Sequence, residues 1–101
     1  MATVTAAQRG PAVVVTVTGD LDPASLAALH TDLVRLIAAS AYRLVVDLTG
    51  TAGEPTGTAR VLADVAQRVG RRRGWLRVAG GALTEAPAGT TLHDSVTSAL
   101  G

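Results

Sequence analysis

The segment Glu54-Pro55-Thr56-Gly57 sets a hydroxyl beside the start of a helical pattern that continues through Leu62, Val65, Ala66 and Val69. Two readings fit that position. Thr56 Oγ1 can accept a bond from an amide one turn into the helix, which is plain capping. Alternatively, Thr56 is a phosphate acceptor. A phosphate there adds roughly −1.5 to −2 charges at pH 7. It would sit beside amides that favour anions, so it could alter the surface shown to a partner without unfolding the chain.

Other groupings promise less chemistry. His93-Asp94-Ser95 has the letters of a catalytic triad, but neighbours on a strand point to opposite faces and cannot line up as base, orienter and nucleophile. A helix start with Ser95 as its cap explains those residues better. Ser25, Ser40, Ser95 and Ser98 are the only serines, and none stands in a G-x-S-x-G elbow. His30 lies beside an apolar helical stripe and reads as a partly buried structural histidine. Two distant histidines and no cysteine offer no metal site. The chain is therefore expected to have no catalytic residues, no metal and no cofactor. Arg68, Arg71, Arg72, Arg73 and Arg77 crowd ten residues. They could bind phosphate or a partner, but cations at a helix C-terminus, favoured by the helix dipole, are the simpler reading.

Composition narrows the field further. The chain has 101 residues, 48% apolar and 17% charged, with a mean hydropathy of +0.33. That excludes a disordered tail and fits one domain over 1–101. Nineteen Ala, 13 Val and 12 Leu, against one Ile, one Trp, one Tyr and no Phe, make a thin aliphatic core. All nine basic residues are Arg, so a phosphate-loop lysine and a Schiff base are excluded. Heavy use of Ala, Gly, Val and Arg resembles the product of a GC-rich bacterial genome. A net charge of +1 gives no long-range pull toward nucleic acid or an anionic membrane. The apolar run Pro11 to Val17 is far short of the ~20 residues of a membrane span and lacks a signal-peptide cleavage site. A cytoplasmic protein is expected.

The elements that position these residues follow from periodicity. Ala12 to Thr18 (AVVVTVT) is β-branched and apolar on both faces, so it predicts a strand central in its sheet. Thr3 to Ala6 pairs with it as an edge strand across a Gly10-Pro11 turn, and such an edge could also pair with a second copy in a weak homodimer. Asp22 caps a helix with Pro23 at its first position, and Leu26, Leu29, Leu33, Leu36 and Ile37 make its stripe down to about Ala39. Arg43 to Leu48 is a buried strand. Thr49 to Gly57 is rich in Gly, Thr and Pro and predicts a loop. A second helix follows from about Gly57 to Gly70, then a strand over Trp75 to Ala79. Gly80 to Gly89 predicts a loop, Thr91 to His93 a last strand, and Ser95 to Leu100 a short helix. The order implies an α/β layer with a mostly parallel sheet of four to five strands and right-handed crossovers.

At this level the chain resembles the STAS family, the anti-sigma-factor antagonists. Val13-Val14-Val15-Thr16-Val17-Thr18-Gly19-Asp20-Leu21-Asp22 is similar to the family's strand followed by G-E-L-D. Leu44-Val45-Val46-Asp47-Leu48-Thr49 resembles its L-V-L-D-L-S, and Asp94-Ser95-Val96-Thr97-Ser98-Ala99-Leu100 its terminal S-x-x-x-A-L. Order and spacing across nearly the whole chain carry the likeness. It implies a STAS-like fold and a non-enzymatic regulator that switches partners with an anti-sigma factor of serine/threonine kinase activity. In that family the serine just before the Gly of D-S-S-G is phosphorylated. Glu54, Pro55, Thr56 and Gly57 fall on those four positions, so the resemblance makes Thr56 the acceptor. Glu54, Gly57, Asp20 and Asp22 become the partner-binding rim. This sequence departs in three places. The loop from Asp47 is one residue shorter, Ala52-Gly53 replaces the usual apolar anchors, and Gly80 to Thr90 is too short for a third helix. STAS-like domains also serve as accessory subunits of transporters and lipid-trafficking ATPases, without phosphorylation, which is the alternative the departures leave open.

Overall fold

A computed structural model describes residues 2–52, 55–80, 83 and 86–100. The chain runs β1 (Ala2–Arg9), β2 (Ala12–Asp20), α1 (Pro23–Ala38), β3 (Arg43–Ala52), α2 (Pro55–Gly70), β4 (Trp75–Ala79), β5 (Thr90–His93) and α3 (Val96–Leu100). The five strands lie in chain order in one sheet. β1 pairs with β2 antiparallel, and the remaining pairs are parallel. This is the mixed, mostly parallel α/β sheet expected from the element order. The middle strand is β3 rather than β2, whose two apolar faces reflect cover on both sides of the sheet.

Turn chemistry explains the joints. Arg9 and Ala12 face each other across two residues. Gly10 has φ of +61° and Pro11 is locked negative, the pattern of a type II′ hairpin with Gly in its first central position. α1 is capped by Asp22, whose Oδ1 accepts the Ser25 N–H at 2.8 Å, with Pro23 in the first helical position. Both long helices end in Schellman motifs. The Ala41 N–H reaches Leu36 O and the Ser40 N–H reaches Ile37 O. In α2 the Gly74 N–H reaches Val69 O and the Arg73 N–H reaches Gly70 O. The left-handed residues of these motifs are Ser40 (φ 71°) and Arg73 (φ 60°), where glycine is the usual choice. Gly74 serves a different need. A Cβ there would lie 1.9 Å from Tyr42 O, because the Trp75 N–H bonds that same oxygen to start β4.

Side-chain alternation then divides the core. Val15, Val17, Leu44, Val46, Leu48, Leu76 and Val78 face α1 and α2. They meet Leu29, Leu33 and Ile37 from α1, and Leu62, Val65, Ala66 and Val69 from α2, all buried. These are the helical stripes read from the sequence. On the other face Val14, Val45 and Ala99 form a small cluster with Trp75, Val96 and Leu100. Ser95 caps α3, since the Ser98 N–H donates to its Oγ at 3.1 Å.

The segment Thr49 to Gly57 differs from the predicted loop. β3 continues to Ala52, and α2 begins at Pro55, two residues before the expected Gly57. Backbone pairing overrides the weak strand propensity of this stretch: Thr18, Gly19 and Asp20 pair with Gly50, Thr51 and Ala52. A register shift between Thr16 and Thr18 absorbs one extra residue on β3. Thr49 secures it, with its N–H and Oγ1 both donating to Asp47 Oδ1 at 3.0 and 2.7 Å. β1 is also longer than Thr3–Ala6, because the ladder with β2 runs unbroken from Ala2 to Arg9. Between β4 and β5 the described residues hold no helix, and Leu83 packs on the helix-side core.

Candidate functional site

Parallel strands followed by helices bring Asp20, Asp22 and Thr56 to one rim, the carboxyl ends of β2 and β3. Asp20 is the last residue of β2 and pairs with Ala52, the last of β3. The Leu21 N–H donates to Ala52 O at 2.9 Å, which fastens the two strand ends together. Leu21 is buried beneath, while Asp20 and Asp22 on either side are exposed. The same rim carries the first turns of α1 and α2.

Thr56 is the second residue of α2, so it lies within the first helical turn and its side chain is exposed. Gly57 is half-buried and Thr58 is buried. The connection from β3 to α2 is only Gly53 and Glu54, and both lie outside the described residues, so Glu54 receives no placement here. The first turn of α2 carries no acidic residue, and a new anion there would meet the positive end of a 16-residue helix.

Asp22 already has a structural task. Its carboxylate is held below the usual range, first by the Ser25 backbone N–H and then by the Ser25 hydroxyl. Ser25 Oγ in turn accepts the Ala2 N–H at 3.0 Å, tying the start of β1 to the first turn of α1. Asp20 makes no side-chain bond among the described residues, which leaves it the freer of the two rim carboxylates.

The remaining candidates resolve into structural pairs. His93 Nε2 lies 2.9 Å from Thr91 Oγ1 and Nδ1 lies 3.4 Å from Ser98 Oγ, so the His93-Asp94-Ser95 letters assemble no triad. His30 is half-buried, with Nε2 2.6 Å from Asp64 Oδ2 on α2, and Arg68 Nε donates to the same oxygen at 2.9 Å. His30 first and Arg68 second hold the Asp64 carboxyl below its ordinary value. Asp64 went unread in the sequence. Its one local signal was the i, i+4 spacing to Arg68. Within the arginine run, Arg72 donates to Tyr42 Oη at 3.2 Å and lies over its ring. Arg77 stacks on Trp75 at 3.9 Å and donates to Ala99 O at 2.7 Å, pinning α3 to the sheet. Three of the five arginines thus have specific structural partners, which favours the dipole and packing reading over a binding patch.

With that geometry fixed, comparison with known proteins locates the chain. A family model described as "Mlab, STAS domain" matches residues 4–89. No curated protein matches the sequence significantly. Among solved structures, an anti-sigma factor antagonist from Mycobacterium paratuberculosis superposes with a TM-score of 0.82 at 24% identity, over 99% of this chain and 92% of that one. The anti-sigma factor antagonist SpoIIAA in its unphosphorylated form gives 0.77 at 9% identity, over 94% and 91%. An uncharacterized protein with a SpoIIAA-like fold from Shewanella loihica gives 0.59 at 13%, over 98% and 90%. At these identities the structural likeness establishes the fold.

Proposed function

The chain belongs to the STAS family, and from that premise we propose that it is a non-enzymatic regulator, an anti-sigma factor antagonist that switches partners with an anti-sigma factor kinase. The observation that carries this reading is the placement of Thr56: an exposed hydroxyl in the first turn of α2, on the rim that also bears Asp20 and Asp22. The two solved anti-sigma factor antagonists that share the fold support it.

In the switch, the unphosphorylated rim docks on the anti-sigma factor, with Asp20, Asp22, Glu54 and Gly57 as its contact surface. The kinase then moves the γ-phosphoryl of ATP to Thr56 Oγ1. The bond from that phosphorus to the ADP oxygen breaks, and the hydroxyl proton leaves to a base on the kinase. The helix N-terminus tolerates the new dianion. The docked interface does not, because a group that fitted as a hydroxyl now carries nearly two charges that must be desolvated. Release follows. The partner is a protein, with no role for nucleic acid, membrane insertion or cofactor, and the setting is the bacterial cytoplasm.

A second reading has one observation in its favour. With β3 reaching Ala52 and α2 starting at Pro55, only two residues connect them, in line with the shortened loop that departs from the family's kinase-substrate pattern. A STAS-type accessory subunit docking on a transporter or lipid-trafficking ATPase does not need that loop as a phosphorylation site. A tagged pull-down from native lysate, followed by intact-mass analysis of the bait with and without ATP, separates the two. Partner switching requires an anti-sigma kinase in the eluate and one added phosphate that Thr56→Ala abolishes. A transport ATPase, retained equally by Thr56→Ala, would replace it with the second reading.

A further inference from the structure

We infer that the free edge of β1 is a self-association surface, where a second copy of this chain pairs antiparallel to form a two-fold dimer with a continuous ten-stranded sheet. The hairpin geometry fixes which backbone groups are available. Residues flanking a two-residue turn form a hydrogen-bonded pair, so Arg9 bonds to Ala12. Pairs alternate along an antiparallel ladder. Thr3, Thr5, Ala7 and Arg9 therefore spend their amides on β2, and Ala2, Val4, Ala6 and Gln8 direct theirs outward. The Ala2 N–H agrees, because it donates to Ser25 Oγ instead of to β2.

This edge lacks the usual protections. β1 is eight residues long with an unbroken register and contains no proline and no lysine. Natural edges are blunted by such residues, by bulges or by short length. Beside it, Val4, Ala6 and Val15 join Asp32, Arg35 and Leu36 of α1 around an apolar hollow of about 300 Å³. A two-fold axis through Thr5 sets Val4 opposite Ala6 of the second copy, and Ala6 opposite its Val4. All four are outward-bonding residues with side chains on the hollow's side of the sheet, so the two hollows merge and close.

Charge identifies the occupant. Asp32 and Arg35 stand on the α1 wall of the hollow, and neither makes an ion pair among the described residues. The same axis brings the two α1 helices side by side and antiparallel, so Asp32 of each copy faces Arg35 of the other. A self-complementary pair of this kind is what an isologous interface demands.

Sedimentation equilibrium over a wide concentration range tests the assignment. The expected result is a shift from 10.2 kDa toward twice that mass. Ala6→Pro removes one outward N–H and no bond of the β1–β2 ladder, so it should abolish the shift while leaving the circular dichroism spectrum unchanged. Asp32→Arg alone should also abolish it by placing like charges together. Asp32→Arg with Arg35→Asp should restore it, which a folding defect would not allow. A protein that stays at the monomer mass up to millimolar concentration overturns the inference. So does a dimer indifferent to Ala6→Pro and to both charge variants. A monomer that loses an anti-sigma partner on Ala6→Pro would assign the edge to that partner's strand, and would equally overturn it.

Discussion

Replacing Thr56 by Glu should stabilise the protein while weakening its partner complex, and the two effects can be measured apart. Thr56 is the second residue of a 16-residue helix whose first turn has no acid. A carboxylate in the first turn of a helix stabilises by about 0.3–1 kcal/mol through the helix dipole. Glu also exceeds Thr in helix propensity by a few tenths of a kcal/mol, on the order of the usual scale. The exposed Thr56 side chain gives up no core contact. Asp20 and Asp22 on the same rim oppose the new charge, an effect that physiological salt reduces over a Debye length of ~8 Å. The net gain is about 0.5 kcal/mol, and at ~4–8 °C per kcal/mol for a domain of this size Tm should rise by roughly 2–4 °C. Thr56→Gln supplies the neutral comparison with the same shape. Thermal unfolding followed by circular dichroism, at physiological salt and in high salt, should place Glu above Gln, with the gap closing as salt rises. Binding to the anti-sigma partner should fall at least tenfold for Glu, which corresponds to about 1.4 kcal/mol. If Glu melts below Gln at physiological salt, the helix-terminus field does not outweigh the rim carboxylates at Thr56, and the argument that the fold tolerates a phosphate there is refuted.

The other expectations concern the frame. Ser40→Gly should stabilise by about 0.5–1 kcal/mol, since relief of a left-handed L-residue, worth roughly 1–2 kcal/mol, exceeds the extra freedom glycine gains when unfolded. Ser40→Ala should give no such gain in urea unfolding. Leu29→Ala, at a fully buried site on α1, should cost about 2–5 kcal/mol with its m-value preserved. Asp64→Asn should lower Tm at neutral pH. Because the folded carboxyl lies below its ordinary value, its contribution is complete above about pH 4 and fades as pH falls further. Melting curves of the two proteins should therefore converge toward pH 2, and a gap that persists there would remove the ionised carboxylate as its cause.

The fold was legible wherever periodicity was strong. The leucine stripe of α1, with Asp22 and Pro23 at its start, specified both its face and its first residue. Trp75 to Ala79 was bounded by glycine on both sides and matched β4 at each end. The misreadings share one physical origin: pairing partners distant in sequence. Gly50 and Ala52 have weak strand propensity of their own, and the stretch becomes strand because β2 offers a ladder to it. The carboxyl ends of the two long helices were read well, at about Ala39 against Ala38 and at Gly70, although the left-handed positions that close them belong to Ser40 and Arg73 rather than to a glycine, and Gly74 is required by the approach of Tyr42 O. At the site, local spacing located Asp22 as the cap of α1 and Thr56 beside the start of α2, whereas the partner-binding role proposed for Asp20 and Asp22 comes from the family resemblance alone. The union of His30 with Asp64 could not be found from local spacing, since it depends on two helices packing side by side.

The bonds from Asp22 to Ser25 and from Ser25 to Ala2 bear on how the molecule opens. A carboxylate on the rim, the first turn of α1 and the beginning of β1 are held by two hydrogen bonds that share one serine. When that turn frays, both ends are released together, so they form one cooperative unit for local unfolding. Amide exchange at Ala2 and Ser25 should thus slow or quicken in step, and a partner seated on the rim would register as protection at the far edge of the sheet.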